Sequence, residues 1–120
     1  MKSILIVEDT ELNVDLLTQL LEDDYKIIVA SDGAQGVKMA GQFIPDLILM
    51  DISLPAIDGY EATRRMRTDP ALQSTPIIGL SAHAMSGDEA RARSAGCTDY
   101  LTKPINDTLL LDMLKKYLGE

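Results

Sequence analysis

Leu47-Ile48-Leu49-Met50-Asp51-Ile52-Ser53-Leu54-Pro55, near the middle of the chain, decides the fold. Four apolar residues run straight into a carboxylate, and turn residues follow: Pro55, then Asp58-Gly59. A short apolar run closed by turn signals reads as a strand buried on both faces. Asp51 then stands where the strand leaves the core. In parallel α/β sheets, that carboxyl edge is where ligands bind.

Working outward, the same grammar repeats. Ile4-Leu5-Ile6-Val7 is a buried-type strand that ends on Glu8-Asp9. A helix is expected from Glu11 to Leu21, capped by Asp9 or Thr10. Leu12, Leu16, Leu17, Leu20 and Leu21 give it one apolar face. Tyr25 to Ala30 reads as a second strand. Ser31-Asp32 caps a helix that runs to Phe43 and stops before Pro45. The central strand covers Asp46 to Asp51, and a short helix follows from Tyr60 to Arg67. After a loop from Asp69 to Thr75, Ile77-Ile78-Gly79-Leu80 forms a fourth strand ending on Ser81. Ser86-x-x-Glu89 resembles a capping box for a helix that runs to Ala95 and closes at Gly96. Asp99 to Thr102 is a fifth strand leading to Lys103-Pro104. Asn106 or Asp107 caps a last helix whose Leu110, Met113, Leu114 and Tyr117 share a face.

Strictly alternating strands and helices imply parallel strands, right-handed crossovers and helices on both faces. The expectation is one α/β domain over residues 1–120, a flavodoxin-like, doubly wound sheet of five strands in the order 2-1-3-4-5 with five helices. At 120 residues, with 46% hydrophobic and 25% charged residues, the chain has enough apolar surface for a core and is not of disordered composition. Eleven Lys and Arg stand against 19 Asp and Glu, a net charge of −8. Phosphate backbones and anionic lipid repel such a surface, so neither nucleic acid nor membrane is an expected partner. No apolar run approaches the ~20 residues of a membrane span. One cysteine, Cys97, allows no internal disulfide, and with no signal-peptide pattern the expected location is the cytoplasm. Cys97 itself reads as a small semi-buried residue, and Met39, Met66 and Met113 as core filler.

Four strand ends carry polar residues that converge on one edge: Glu8 and Asp9, Asp51, Ser81 and Lys103. Taken singly, each has an ordinary reading as a cap, a turn residue or surface charge. Three carboxylates brought together require a proton or a cation. A hard divalent ion suits oxygen ligands, and magnesium often uses only one or two carboxylates plus a phosphate oxygen. Asp51 then remains free to attack phosphorus and form an acyl phosphate. Lys103 and the metal would neutralise the phosphoryl oxygens, and the Ser81 hydroxyl would donate to another.

The chain resembles the receiver domain of bacterial two-component response regulators from about Lys2 to Leu118. The matching pieces are Ile6-Val7-Glu8-Asp9, Asp46 to Asp51, Leu54-Pro55-x-x-Asp58-Gly59, Leu80-Ser81-Ala82 and Tyr100-Leu101-Thr102-Lys103-Pro104. Glu11-Leu12-Asn13 and Gly59 to Arg64 are similar to stand-alone cell-cycle receivers and those of hybrid kinases. The resemblance implies that Asp51 takes a phosphoryl group from a phosphohistidine on a sensor histidine kinase or a histidine phosphotransfer protein. It implies Mg²⁺, with Mn²⁺ able to substitute, held by Asp9, Asp51 and the backbone carbonyl of Ser53. Glu8 would act mostly through a water on the metal, and Lys103 and Ser81 would bind phosphoryl oxygens. Ser81 and Tyr100 match the switch pair, whose movement changes the partner preference of the surface made by the fourth helix, fifth strand and fifth helix. Ser53 and His83 occupy the two lifetime-tuning positions and imply a phosphoryl group that lasts minutes or longer. The Lys103-Pro104 bond is expected to be cis by the same resemblance, and the unphosphorylated chain to be a monomer. Two alternatives remain: a receiver cut from a larger hybrid kinase or regulator, and a metal-dependent aspartyl phosphatase. The second usually needs an Asp-x-Asp pair, and here Ile52-Ser53 follows Asp51.

Overall fold

β1 (Ser3–Val7) divides its side chains between two helical layers, and this period-2 division builds the whole core. Leu5 and Val7 face one layer, Ile4 and Ile6 the other, and all four are buried. The computed structural model describes residues 1–82 and 88–119. After β1 come α1 (Glu11–Leu21), β2 (Lys26–Ala30), α2 (Gly33–Phe43), β3 (Leu47–Asp51) and α3 (Gly59–Arg67). A single 3₁₀ turn, Pro70–Leu72, precedes β4 (Ile77–Ser81), α4 (Asp88–Ala95), β5 (Asp99–Thr102) and α5 (Asp107–Leu118). All strand pairs are parallel, in the order β2-β1-β3-β4-β5. The expected doubly wound α/β fold is therefore present.

On one face Leu5, Ile48, Met50 and Ile77 pack with Ala40, Ala62 and Met66 of α2 and α3. On the other, Ile6, Leu49 and Leu80 pack with Leu17 and Leu21 of α1 and Leu110 and Leu114 of α5. Burying each such leucine or isoleucine contributes about 1.5–3 kcal/mol. β3 is buried at every position, which is why Leu47 to Met50 form a continuous apolar run before Asp51. Met66 is buried as expected and Cys97, expected to be semi-buried, is fully buried, while Met39 and Met113 are only half-buried.

Several local expectations shift. Tyr25 and Asp46 stand just outside their strands; Asp46 instead accepts from the Ser3 N–H at 2.7 Å, pinning β3's start to β1's. Thr10 takes the N-cap position of α1 but its side chain makes no cap bond. Asp32, Asp58 and Asn106 do cap, each accepting from an N–H three residues on. The Ser86 capping box lies outside the described residues.

The single apolar face assigned to α1 is only half correct. Leu17 and Leu21 are buried, Leu20 is intermediate, but Leu12 is 65% and Leu16 57% exposed. At about 100° per residue the five leucines span roughly half the helix circumference, more than the sheet beneath can cover.

Candidate functional site

The site is assembled from strand ends. Val7 pairs with Met50 across β1 and β3, so Glu8, the next residue, arrives beside Asp51. Asp51 pairs with Leu80, and Ser81 with Thr102, which brings Ser81 and then Lys103 to the same edge. The backbone N–H of Lys103 donates to the Ser81 carbonyl at 2.6 Å, extending that register into the loop. The Lys103-Pro104 bond is cis, as expected.

Glu8 is 1% and Asp51 2% exposed, whereas Asp9 is open to solvent. One carboxylate oxygen from each of the three lies within 4.8 Å of the others. The Lys103 ammonium is 3.0 Å from Glu8 Oε2 and 3.3 Å from Asp51 Oδ1. Asp51 Oδ1 also accepts from the Ser53 N–H at 3.1 Å, and Glu8 Oε1 from the Thr10 N–H at 3.1 Å.

These surroundings separate the two buried acids. Burial penalises the charge of Glu8, but the hydrogen bonds from Lys103 and Thr10, the Lys103 charge and the Asp51 carboxyl together outweigh that and hold it below the usual glutamate range. Burial pushes the Asp51 carboxyl up, and the neighbouring Glu8 charge pushes the same way, only partly offset by Ser53 and Lys103. Burial also disfavours the Lys103 ammonium, yet the two carboxylates raise its pKa on balance. One lysine cannot neutralise three carboxylates, so the donor set is suited to a hard divalent cation bound through oxygen.

The structure gives Gly59 a part beyond its turn signal and its place in the matching motif. A Cβ there would stand 2.4 Å from the Asp51 carbonyl oxygen and 2.6 Å from Ile52 Cα. The start of α3 thus lies directly on the backbone of the strand end. Thr63 holds this turn by donating to the Gly59 carbonyl at 2.7 Å. Nothing in the spacing of Asp58-Gly59 reveals such a close approach.

Of the other expected residues, Ser81 is buried at the edge and Ser53 reaches Asp51 through its backbone, its side chain exposed. Tyr100 is half-buried on β5, where it packs against the core beside α4. His83 lies outside the described residues. A groove of about 250 Å³ between α1 and α5 opens at Glu8 and Lys103, lined also by Asn13, Leu16, Leu17 and Ile105. With exposed Leu12 and Leu109 on its two helices, this is apolar surface beside the acidic edge that sequence reasoning missed. The five leucines of α1 held the signal, which a single-face reading obscured.

A family profile described as the response regulator receiver domain matches residues 4–115. Polar-differentiation response regulator DivK of Brucella anthropi is 42% identical over 120 residues, which cover 99% of this chain and 98% of that protein. DivK of Brucella ovis matches to the same extent. Among solved structures, the receiver domain of sensor histidine kinase PA1611 from Pseudomonas aeruginosa PAO1 superimposes with a TM-score of 0.91 at 38% identity, covering 99% and 98% of the two chains. That structure has a magnesium ion coordinated in its active site cleft. Chemotaxis protein CheY4 of Vibrio cholerae aligns with a TM-score of 0.91 at 26% identity over 98% of each chain.

Proposed function

The chain belongs to the response regulator receiver domain family, and on that premise we propose that Asp51 is the residue that accepts the phosphoryl group. It is a phospho-accepting signalling protein of a two-component system, which implies a histidine kinase as partner. The observation that carries the assignment to Asp51 is its place: a buried carboxylate at the end of the central strand, in reach of both Lys103 and two further acids.

A carboxylate oxygen of Asp51 attacks the phosphorus of a phosphohistidine. The P–N bond breaks, and the imidazole leaves with the electron pair and takes a proton from solvent. Lys103, already 3.3 Å from Asp51 Oδ1, turns from Glu8 to the incoming phosphoryl oxygens, and the Ser81 hydroxyl binds another. The donors fit Mg²⁺, with Mn²⁺ as a substitute: Asp9, Asp51 and the Ser53 carbonyl would hold it, with Glu8 beside them. When bound, the ion supplies positive charge to the phosphoryl group. Ser53 and His83 set a lifetime of minutes or longer, which a sub-minute half-life measured with Mg²⁺ would refute.

The donor is a histidine kinase or phosphotransfer protein. The α1–α5 groove, lined by Leu16, Leu17 and Ile105 together with Glu8 and Lys103, suits an apolar helix that carries the phosphohistidine. The α4–β5–α5 surface, through Ser81 and Tyr100, reports the phosphorylation downstream. No described helix is long and apolar enough to cross a membrane.

Intact mass after incubation with acetyl phosphate tests the assignment. A single phosphate adduct that needs Mg²⁺ and is absent from Asp51→Asn is expected. An adduct that persists in Asp51→Asn would move the acceptor elsewhere.

A further inference from the structure

α4 is held by little apolar side chain. Its buried side chains among those described are Ala92 and Ala95, whereas α5 buries Leu110, Leu114 and Leu118. An alanine methyl contributes far less on burial than a leucine side chain. Polar ties do the rest of the holding. Arg93 Nη1 donates to the Thr98 carbonyl at 3.0 Å, and its Nη2 stands 3.5 Å from Asp99 Oδ1. On the α3 side, Arg91 lies 4.4 Å from the Tyr60 ring centre and Arg67 donates to the Gly96 carbonyl at 2.9 Å.

Asp99 is the junction of the first set. It opens β5, and its Oδ1 also accepts from the Tyr100 N–H at 2.9 Å. Its Oδ2 accepts from the Tyr117 hydroxyl of α5 at 2.7 Å. That hydrogen bond, with burial and the carboxylate charge, pushes the Tyr117 hydroxyl pKa up, so the proton stays in the bond. One carboxylate, its side chain 15% exposed, therefore joins α4, β5 and α5 next to the switch aromatic.

We propose that the chain Arg93–Asp99–Tyr117 is a latch that holds α4 in its resting place against β5 and α5, and that its release favours the phosphorylated arrangement. This regulation rests on the phosphoryl-accepting reading above. A tie present in one state only biases the equilibrium against the other by its own free energy. Because the apolar anchorage of α4 is slight, a few hydrogen bonds decide where it sits.

Hydrogen exchange on the full chain, with a beryllofluoride titration in Mg²⁺, tests this in Tyr117→Phe, Arg93→Gln and Glu89→Gln. Tyr117→Phe keeps the ring and removes only the hydroxyl. Glu89→Gln removes only the pair that Glu89 makes with Arg93 inside α4 and serves as the control. In the first two variants the α4 amides are expected to exchange about three- to tenfold faster, and half-saturation by beryllofluoride to fall by a similar factor. α5, the sheet and the control stay unchanged. Unaltered α4 exchange would overturn the latch. Faster exchange with an unmoved beryllofluoride midpoint would overturn its coupling to the switch. A wild type that binds no beryllofluoride would overturn the phosphoryl reading and the coupling together, while α4 exchange would still judge the resting tie.

Discussion

The ammonium of Lys103 rests 3.0 Å from Oε2 of Glu8, closer than the 3.3 Å that separates it from Oδ1 of Asp51. A residue expected to serve the phosphoryl group is thus, at rest, the internal counter-ion of two buried acids. The site holds strongly interacting charges whose balance any ligand must change.

Lys103→Met leaves Glu8 and Asp51 without that cation. Breaking a buried pair strands the remaining charge, so a loss of about 2–4 kcal/mol is expected in metal-free buffer. Mg²⁺ supplies the missing charge and stabilises by binding only the folded chain. The thermal midpoint of Lys103→Met should therefore rise more with Mg²⁺ than that of wild type. Equal shifts would show that Lys103 does not neutralise this site.

Asp51→Asn should act in the opposite direction. The carboxyl of Asp51 is raised above its ordinary value, mainly by burial, so ionising it costs folding energy. Between its unfolded pKa, about 4, and its higher folded value, the folded chain holds more protons and stability falls as pH rises. Without metal, Asp51→Asn is expected to be more stable than wild type near pH 8 and no more stable below about pH 4. Urea midpoints in chelator at the two pH values measure this. A less stable Asn variant at pH 8 would contradict it.

Gly59→Ala places a methyl against the Asp51 carbonyl and Ile52 Cα, atoms of the backbone that have no rotamer to escape into. Overpacking of this kind costs about 1–3 kcal/mol. Because the displaced atoms carry the proposed acceptor, Asp51, phosphorylation by acetyl phosphate should slow as well. A variant with wild-type stability and rate would mean that the turn relaxes freely.

Arg67→Met probes a guanidinium bonded to no carboxylate among the described residues. Its nitrogens donate to the carbonyls of Leu72 (2.6 Å), Thr75 (2.8 Å) and Gly96 (2.9 Å) and to Thr98 Oγ1 (3.2 Å). Methionine preserves the stem but orphans these acceptors, with an expected loss of about 2–3 kcal/mol. Amides of residues 96–98 should exchange faster than those of β1, and uniform acceleration would deny a local role.

Much of this was legible in the residues themselves. The apolar runs of β1, β3 and β4, each ending on a polar residue, announce buried parallel strands and the edge on which Glu8, Asp51 and Ser81 meet. Asp32, Asp58 and Asn106 cap their helices because a cap needs only a side-chain oxygen and an N–H three residues on, a local relation. The turn at Asp58-Gly59 was legible as a turn and no more.

What the sequence determined by itself is set by short-range physics: strand period, helix period, capping and the polarity of strand ends are properties of neighbouring residues. What only the tertiary structure decided depends on which surfaces meet. Leu12 and Leu16 have the same periodicity as Leu17 and Leu21, yet the sheet is too narrow to cover all four. The ties of Lys103 to Glu8, of Arg67 to Gly96 and of Tyr117 to Asp99 join elements far apart in the sequence. A charge carries no mark of its partner, because electrostatic and hydrogen-bond energies depend on distance in space, and folding alone supplies that distance.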